Sequence, residues 1–170
     1  GTTSGKLMGL AAYGTVREEW LPFARKYVRE YTKLAAAPID GLNAFGEGHR
    51  INSIGLNEIP ELQQFLVKAD SVGLKAFRRR TMEMFGGRRV IPEMRLPGPE
   101  DAISQDLART VQEAWTQEVL ELLAPYGDGK NNLCISGGCA LNGIANYEIE
   151  KREWFENTFF IPSPTDCGLS

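Results

Sequence analysis

The order of patterns in the C-terminal part of the chain predicts an α/β fold with a parallel or mixed sheet. A helical stretch opens at Asp101, and a short apolar run follows at Leu133 to Ile135. Gly137-Gly138 then precede a second helical stretch from about Ala140 to Arg152, and Thr158 to Ile161 forms another apolar run. Helix, strand, glycine turn, helix and strand in this order are typical of a sheet covered by helices.

The helix that opens at Asp101 has the clearest periodicity. Pro97-Gly98-Pro99 interrupts the chain before it, and Pro125 or Gly127 ends it. Its apolar residues recur at spacings of three and four: Ile103, Leu107, Val111, Ala114, Trp115, Val119, Leu122 and Leu123. We therefore expect one long helix with an apolar face.

Further helices are predicted in the first half of the chain. Apolar residues recur at helical spacing from Thr15 to Leu34, and Pro22 either lies in the first turns of this helix or marks its start. A second helical pattern runs from Asn57 or Glu58 to Met84, as one bent helix or two, and Gly86-Gly87 ends it. Residues 37–57 are predicted to form loops with a short hairpin.

Composition limits the class of function. A chain of 170 residues, 42% of them hydrophobic, is long enough for one core of ordinary size. A net charge of -3 argues against a nucleic-acid partner and against a membrane surface. Because no apolar run approaches a membrane span of about 20 residues and no signal peptide is evident, we expect a cytoplasmic protein. Three cysteines without CxxC spacing predict buried free thiols.

The segment from Ile135 to Gly143 has the sharpest local pattern. Between a strand and a helix start, Gly137-Gly138 would leave backbone N–H groups unpaired and open to a phosphate. A tight connection without any ligand accounts for the pattern equally well. The glycine pair does not fit GxGxxG, and Gly1 to Leu7 does not fit the Walker A pattern, so neither a Rossmann nor a P-loop fold is supported.

The segment Gly5 to Gly14 is apolar, punctuated by glycines and carries one cation, Lys6. It would offer a flat surface to an adenine while Lys6 reaches a phosphate. A short helix packed in the core, with a solvated Lys6, is the plainer interpretation and the one that the residues alone favour.

The segment Pro162 to Gly168 places one carboxylate, Asp166, in a rigid turn after a buried strand. Groups at the carboxyl ends of strands face the ligand crevice of an α/β sheet, and a carboxylate there suits a metal ion or its water. Asp is also a common turn and capping residue, and such a residue is more often structural.

Together these segments resemble a known family. Gly5 to Gly14, the helix from Gln105 to Leu123, the turn from Ser136 to Asn142 and the segment Phe159 to Gly168 look, in order, like the NodU/CmcH-type O-carbamoyltransferases. Those enzymes carbamoylate hydroxyl groups of nodulation factors and antibiotics. The likeness is strong over residues 1–14 and 103–170 and weak from about 35 to 100.

The resemblance implies a fold and a domain assignment. The corresponding domain is similar to the universal tRNA threonylcarbamoyl transferase and belongs to the actin and sugar-kinase superfamily, in which two ribonuclease-H-like lobes enclose the nucleotide. Residues 1–170 would be a fragment of the second lobe of this nucleotide-binding domain. A mixed sheet flanked by helices is the expected architecture.

The resemblance also implies ligand-binding residues. Gly137 and Gly138 would line the nucleotide phosphates, with Asn142 nearby. Lys6, with Gly5 and Gly9, would border the nucleoside. Asp166 would bind a divalent metal of the iron or magnesium class. His49, the single histidine, lies outside any HxxxH pair of the kind that the family uses and receives no role.

The implied chemistry has two steps. Carbamoyl phosphate and ATP give carbamoyl-adenylate, and a hydroxyl of a small molecule or glycan then takes the carbamoyl group. The partners would be ATP, carbamoyl phosphate, the acceptor and the rest of the parent chain. Because the paired histidines and the adenylate-forming domain are absent from these residues, we expect the isolated fragment to be inactive.

Two alternatives stay open. An ATPase or kinase of the same superfamily would share the glycine turn but not depend on carbamoyl phosphate. A non-catalytic interaction module would use Trp154, Phe155 and the aromatic residues of Val16 to Tyr31 as a protein interface.

Overall fold

The computed structural model describes residues 3–35, 50–52, 55–66 and 93–161. The α-helices of these ranges are α1 (Thr3–Ala11), α2 (Leu21–Ala35), α3 (Ala102–Leu123) and α4 (Gly143–Glu150). The strands are β1 (Arg50–Asn52), β2 (Glu93–Arg95), β3 (Asn132–Ile135) and β4 (Asn157–Phe160). Short 3₁₀ turns cover Leu56–Glu58, Pro60–Phe65, Ala124–Tyr126 and Gly138–Leu141.

Helix α3 is the element on which α1, α2 and α4 pack. Asp101 caps its first turn, because the Asp101 side chain accepts a hydrogen bond of 2.9 Å from the backbone N–H of Ile103. A 3₁₀ turn that contains Pro125 follows its last residue. The predicted long helix from Asp101 to about Pro125 is thus confirmed.

The core lies between α2, α3 and the 3₁₀ turns of residues 56–65. Leu107, Val111 and Ala114 of α3 pack there against Trp20 and Ala24. The remaining buried members of this cluster are Val28, Leu56, Ile59, Leu62 and Met94. Burial of these side chains supplies the main stabilising free energy of this part of the chain.

Two helix predictions change in the structure. Helix α2 begins at Leu21 with Pro22 in its first turn, so the later of the two expected starts is confirmed. The helix predicted from residue 57 is wrong over residues 57–66, which form two 3₁₀ turns. Ile59 is extended between them, at φ -78° and ψ 117°, because the residue before Pro60 avoids the helical region.

Two separate two-stranded sheets are seen among the described residues. Strand β1 pairs antiparallel with β2, so the pairing of β1 is not the short hairpin expected within residues 37–57. Strands β3 and β4 are parallel, with Cys134 opposite Phe159 and Ile135 opposite Phe160. Helices combined with a small parallel sheet confirm the predicted α/β class. No described helix has the length and apolar character that a membrane crossing requires.

Candidate functional site

The glycine turn, Gly137-Gly138, follows β3 and has a backbone conformation that needs glycine. Gly137 has φ +72°, a left-handed backbone in which other residues are strained. The 3₁₀ turn Gly138–Leu141 follows, and the N–H of Ala140 donates to the carbonyl of Gly137 at 3.1 Å. Helix α4 therefore begins at Gly143 and not directly after the glycines, as the predicted start near Ala140 implied.

The space over both glycines is open. A Cβ atom added to Gly137 or to Gly138 would have no described atom within 4 Å outside its immediate neighbours. Close packing therefore does not explain why glycine is present at either position, although the positive φ explains the glycine at 137. An open backbone surface of this kind suits a ligand that approaches N–H groups closely.

Asn142 connects the turn to the rest of the fold. Its side-chain Oδ1 accepts from the N–H of Ala145 at 3.1 Å and so caps α4. Its amide also forms a reciprocal pair with Gln112 of α3, with distances of 3.0 Å and 3.1 Å. A further contact joins α4 to the 3₁₀ turn, because Asn146 Nδ2 donates to the carbonyl of Ala140 at 2.9 Å.

The N-terminal glycine segment forms a helix, as its plainer interpretation predicts. Gly5, Lys6 and Gly9 lie within α1. A Cβ added to Gly9 would meet no described atom within 4 Å, so that face of α1 is open. Gly14 is different, because a Cβ there would lie 2.0 Å from the carbonyl oxygen of Gln105. The end of the segment thus packs directly on the backbone of α3.

Asp106 of α3 binds the chain that follows Gly14. Its Oδ1 accepts from the N–H of Thr15 at 2.8 Å, and its Oδ2 accepts from Arg17 Nε at 2.7 Å. Burial acts to raise the pKa of Asp106, but the Thr15 hydrogen bond and the hydrogen bond and charge of Arg17 lower it below its ordinary value. The N–H of Arg17 also donates to Thr110 Oγ1 at 3.0 Å.

Comparison with known proteins decides the family. Residues 2–170 match the family described as Carbamoyltransferase N-terminus. The chain belongs to the carbamoyltransferase N-terminal family. The resemblance to the NodU/CmcH-type enzymes is thereby confirmed.

A curated relative of this carbamoyltransferase segment shows how much of a longer protein it covers. The chain is 29% identical over 165 residues to an uncharacterized protein, sll1178, of Synechocystis sp.. The match includes 96% of this chain and 22% of that protein, so the chain spans about a fifth of the length of the relative. No solved structure matches the chain.

The buried polar residues of the carbamoyltransferase segment were missed in the sequence. Every buried polar or charged side chain of the described ranges lies on α3: Ser104, Asp106, Thr110, Gln112 and Thr116. Two pairs of them are spaced by four residues, which places the members of each pair on neighbouring turns. Asp106 and Thr110 bind the segment after α1, Gln112 pairs with Asn142, and Thr116 accepts a hydrogen bond from Gln112.

A cluster of opposite charges joins α2 to α3. Glu118 accepts from Arg25 Nε and from Arg29 Nε, both at 2.6 Å, and Glu121 accepts from the same two guanidinium groups. Burial acts to raise the pKa of Glu118, but the hydrogen bonds and charges of Arg29 and Arg25 lower it. The cleft of about 580 Å³ beside Arg25 and Arg29 is therefore lined by cations that already have partners.

The metal prediction falls outside the described ranges. Asp166 and His49 both lie in parts of the chain that the structure does not describe. Within the described ranges, no group of three or more His, Cys, Asp or Glu side chains could hold a metal ion. Asp166 therefore stays a prediction of the resemblance.

At the one cysteine that can be compared, the predicted free thiol is confirmed and its predicted burial is wrong. Cys134 is free and exposed on β3, beside Phe159 of β4, which is 57% exposed. The thiol lies on the outer face of the parallel pair, while Leu133 and Ile135 on the opposite face are partly buried. Cys167 lies outside the described residues.

Proposed function

We propose that this chain is the nucleotide-binding part of an ATP-dependent O-carbamoyltransferase. The observation that carries the proposal is the open Gly137-Gly138 turn in a chain of the carbamoyltransferase N-terminal family. In the proposed complex, backbone N–H groups of this turn bind the phosphates of ATP, with Asn142 beside them.

The position of the turn supports this role. It follows Ile135 at the carboxyl end of β3, which is parallel to β4. Ligands of open α/β sheets bind outside the carboxyl ends of the strands, where unpaired backbone donors gather. Glycine at 137 allows the left-handed backbone, and at 138 an added Cβ would meet no atom of the described residues within 4 Å.

The other residues of the proposed site come from the two ends of the chain. Gly5, Lys6 and Gly9 of α1 would border the nucleoside, and the open face at Gly9 is compatible with this role. Asp166 would be the carboxylate ligand of a divalent metal of the iron or magnesium class, which would offset charge on the phosphates. We further propose that the α/β arrangement is the second ribonuclease-H-like lobe of an actin and sugar-kinase fold.

The proposed chemistry balances in two stages. Carbamoyl phosphate and water give carbamate and phosphate, and a carbamate oxygen attacks the α-phosphorus of ATP and releases pyrophosphate. The acceptor hydroxyl oxygen then bonds to the carbamoyl carbon of the adenylate, its proton is lost, and AMP leaves. Donors held in place around the phosphate of the adenylate would stabilise the charge that develops on AMP as it leaves.

The test is exchange of labelled pyrophosphate into ATP by the intact protein, with and without carbamoyl phosphate. Gly138→Ala places a methyl group in the open space, so we expect ATP, titrated into the intact protein by calorimetry, to bind at least about tenfold more weakly through displacement of the phosphates. Gly143→Ala is the matched control, because a Cβ there also meets no described atom within 4 Å. Asp166→Ala tests the metal ligand in the exchange assay.

Each outcome bears on the proposal. Exchange that needs carbamoyl phosphate, together with ATP binding that is weakened in Gly138→Ala but not in Gly143→Ala, would support it. ATP hydrolysis without such exchange would favour an ATPase or kinase of the same superfamily. Equally weakened ATP binding in both glycine variants would contradict a specific role of the glycine turn in phosphate binding.

A further inference from the structure

We infer that Gln112 is a positioning residue: its side chain sets the place of the glycine turn by pairing with Asn142. This inference rests on the proposed function, because the turn is the proposed phosphate site. Gln112 itself lies on α3 and is 2% exposed, so it acts on the ligand only through Asn142.

The hydrogen bonds of Gln112 leave little freedom. Gln112 Nε2 donates to Asn142 Oδ1 at 3.0 Å and to Thr116 Oγ1 at 3.3 Å, while Gln112 Oε1 accepts from Asn142 Nδ2 at 3.1 Å. Both N–H donors and the carbonyl oxygen therefore have partners. A buried amide satisfied in this way strongly resists displacement, because any movement leaves polar groups unpaired.

A backbone contact fixes the orientation of both amides. The N–H of Ala145 can only donate, so the Asn142 atom that it contacts at 3.1 Å must be the oxygen. That oxygen can accept only from the nitrogen of Gln112, which orients the second amide as well. A flip of either side chain would bring two acceptors or two donors together.

Asn142 transmits this constraint to the turn. It lies between the 3₁₀ turn Gly138–Leu141 and the first residue of α4, and its side chain caps that helix. The reciprocal pair thus ties the end of the glycine turn to the middle of α3. Because Asp106 on the same helix holds Thr15 and Arg17, α3 also fixes the turn relative to the segment that follows α1.

The test compares two isosteric changes on α3 in the intact protein. Gln112→Met keeps the length of the side chain and removes both contacts with Asn142. Thr116→Val is the control: it removes the hydroxyl of a residue that is 3% exposed and that accepts from Gln112, and it leaves both hydrogen bonds between Gln112 and Asn142 in place. Thermal unfolding of the two variants gives the loss of stability that each change causes.

Two readouts separate positioning from a general loss of stability. Amide hydrogen exchange over residues 138–145 reports the turn and the cap of α4 without any ligand. In Gln112→Met, which loses two buried hydrogen bonds to Asn142, we expect exchange there to rise by at least about tenfold and the Kd of ATP to rise by a similar factor. In Thr116→Val we expect both quantities to stay within about twofold at a similar loss of thermal stability.

The outcomes also distinguish this inference from the proposed function. Unchanged exchange in Gln112→Met, or equally faster exchange in Thr116→Val, would overturn the positioning role. Faster exchange with unaltered ATP binding, or with no ATP binding by the wild type, would support the positioning role and refute the phosphate site. If Gln112→Met does not fold, Asn142→Ser keeps a capping oxygen, removes the contact with Gln112 and gives the same exchange measurement.

Discussion

Gly14 lies against the backbone of Gln105 so closely that a Cβ at position 14 would be 2.0 Å from the Gln105 carbonyl oxygen. The same added atom would be 2.7 Å from the backbone nitrogen of Asp106. Since both neighbours belong to the backbone of α3, no side-chain rotation can relieve the overlap. The last glycine of the Gly5 to Gly14 segment is thus required by packing rather than by a ligand.

Gly14→Ala should therefore destabilise the protein. We expect a loss of about 1–3 kcal/mol in the free energy of unfolding, the usual cost of an overpacked contact. Urea unfolding measures it. Gly9→Ala is the matched control in the same segment, because its Cβ has free space among the described atoms and should add about 0.5–1 kcal/mol through better helix propensity. Equal stability of the two variants would show that Gly14 does not pack on α3.

Removal of the Asp106 charge should change the acid stability of the protein. The pKa of Asp106 is lowered from its ordinary value of 3.8 in the folded state, so its ionised form stabilises the fold at pH values above 3.8. This stabilisation is lost as the pH falls through the lower folded pKa. Asp106→Asn should thus be less stable than wild type by about 1–3 kcal/mol at pH 7, and the difference should shrink below pH 4 or so.

Thermal unfolding from pH 7 to pH 3 measures this difference. Asp101→Asn is the control, because asparagine keeps the oxygen that caps α3 through Ile103 and leaves the Asp106 contacts in place. We expect its stability at pH 7 to stay close to that of the wild type. A difference for Asp106→Asn that stays constant down to pH 3 would contradict the role of the charge.

Glu118→Gln tests the charge cluster between α2 and α3. One neutral side chain would face both Arg25 and Arg29, so we expect a loss of about 1–2 kcal/mol that decreases in high salt. Glu113→Gln changes the same helix at a glutamate that accepts from Gln117, and it should cost less than about 0.5 kcal/mol. Chemical denaturation at low and high salt gives both values, and equal losses would argue against the cluster.

Two glycines with positive φ allow the effect of a substitution on stability to be separated from its effect on ligand binding. Gly137 has φ +72° and Gly129 has φ +73°, and neither has a described atom in the way of an added Cβ. Alanine at either position should therefore cost about 1–2 kcal/mol of backbone strain. Only Gly137→Ala should also weaken ATP binding, as measured by calorimetry. Equal ATP affinities in both variants would show that the glycine turn is not part of the ATP site.

The parts of the fold that the sequence predicted well have local causes. The bounds of α3 follow from the cap at Asp101 and the proline at 125, and strands β3 and β4 follow from short apolar runs. The glycine turn was predicted because paired glycines directly after an apolar run are typical of a tight connection between a strand and a helix. Each of these features depends on residues that are close together along the chain.

The parts of the fold that the sequence predicted poorly depend on contacts between residues that are far apart along the chain. Gln112 and Thr116 lie outside the apolar pattern that predicted α3, and the pairing of Gln112 with Asn142 shows why an amide is buried there. Leu62 and Phe65 suggested a helix by their spacing, but the restriction that Pro60 places on Ile59 divides that segment into 3₁₀ turns. Cys134 was expected inside a sheet, and the exposed face of the β3–β4 pair could not be read from its neighbours.

The buried polar face of α3 also has a consequence for the order in which the fold assembles. Asn142 reaches Gln112 across 30 positions of the chain, whereas Thr15 reaches Asp106 across 91. The entropy of loop closure favours the shorter connection by about 1 kcal/mol. During synthesis, the segment after α1 is made before α3 and has no partner until α3 follows. The glycine turn is made after α3, so its partner is already present in the chain.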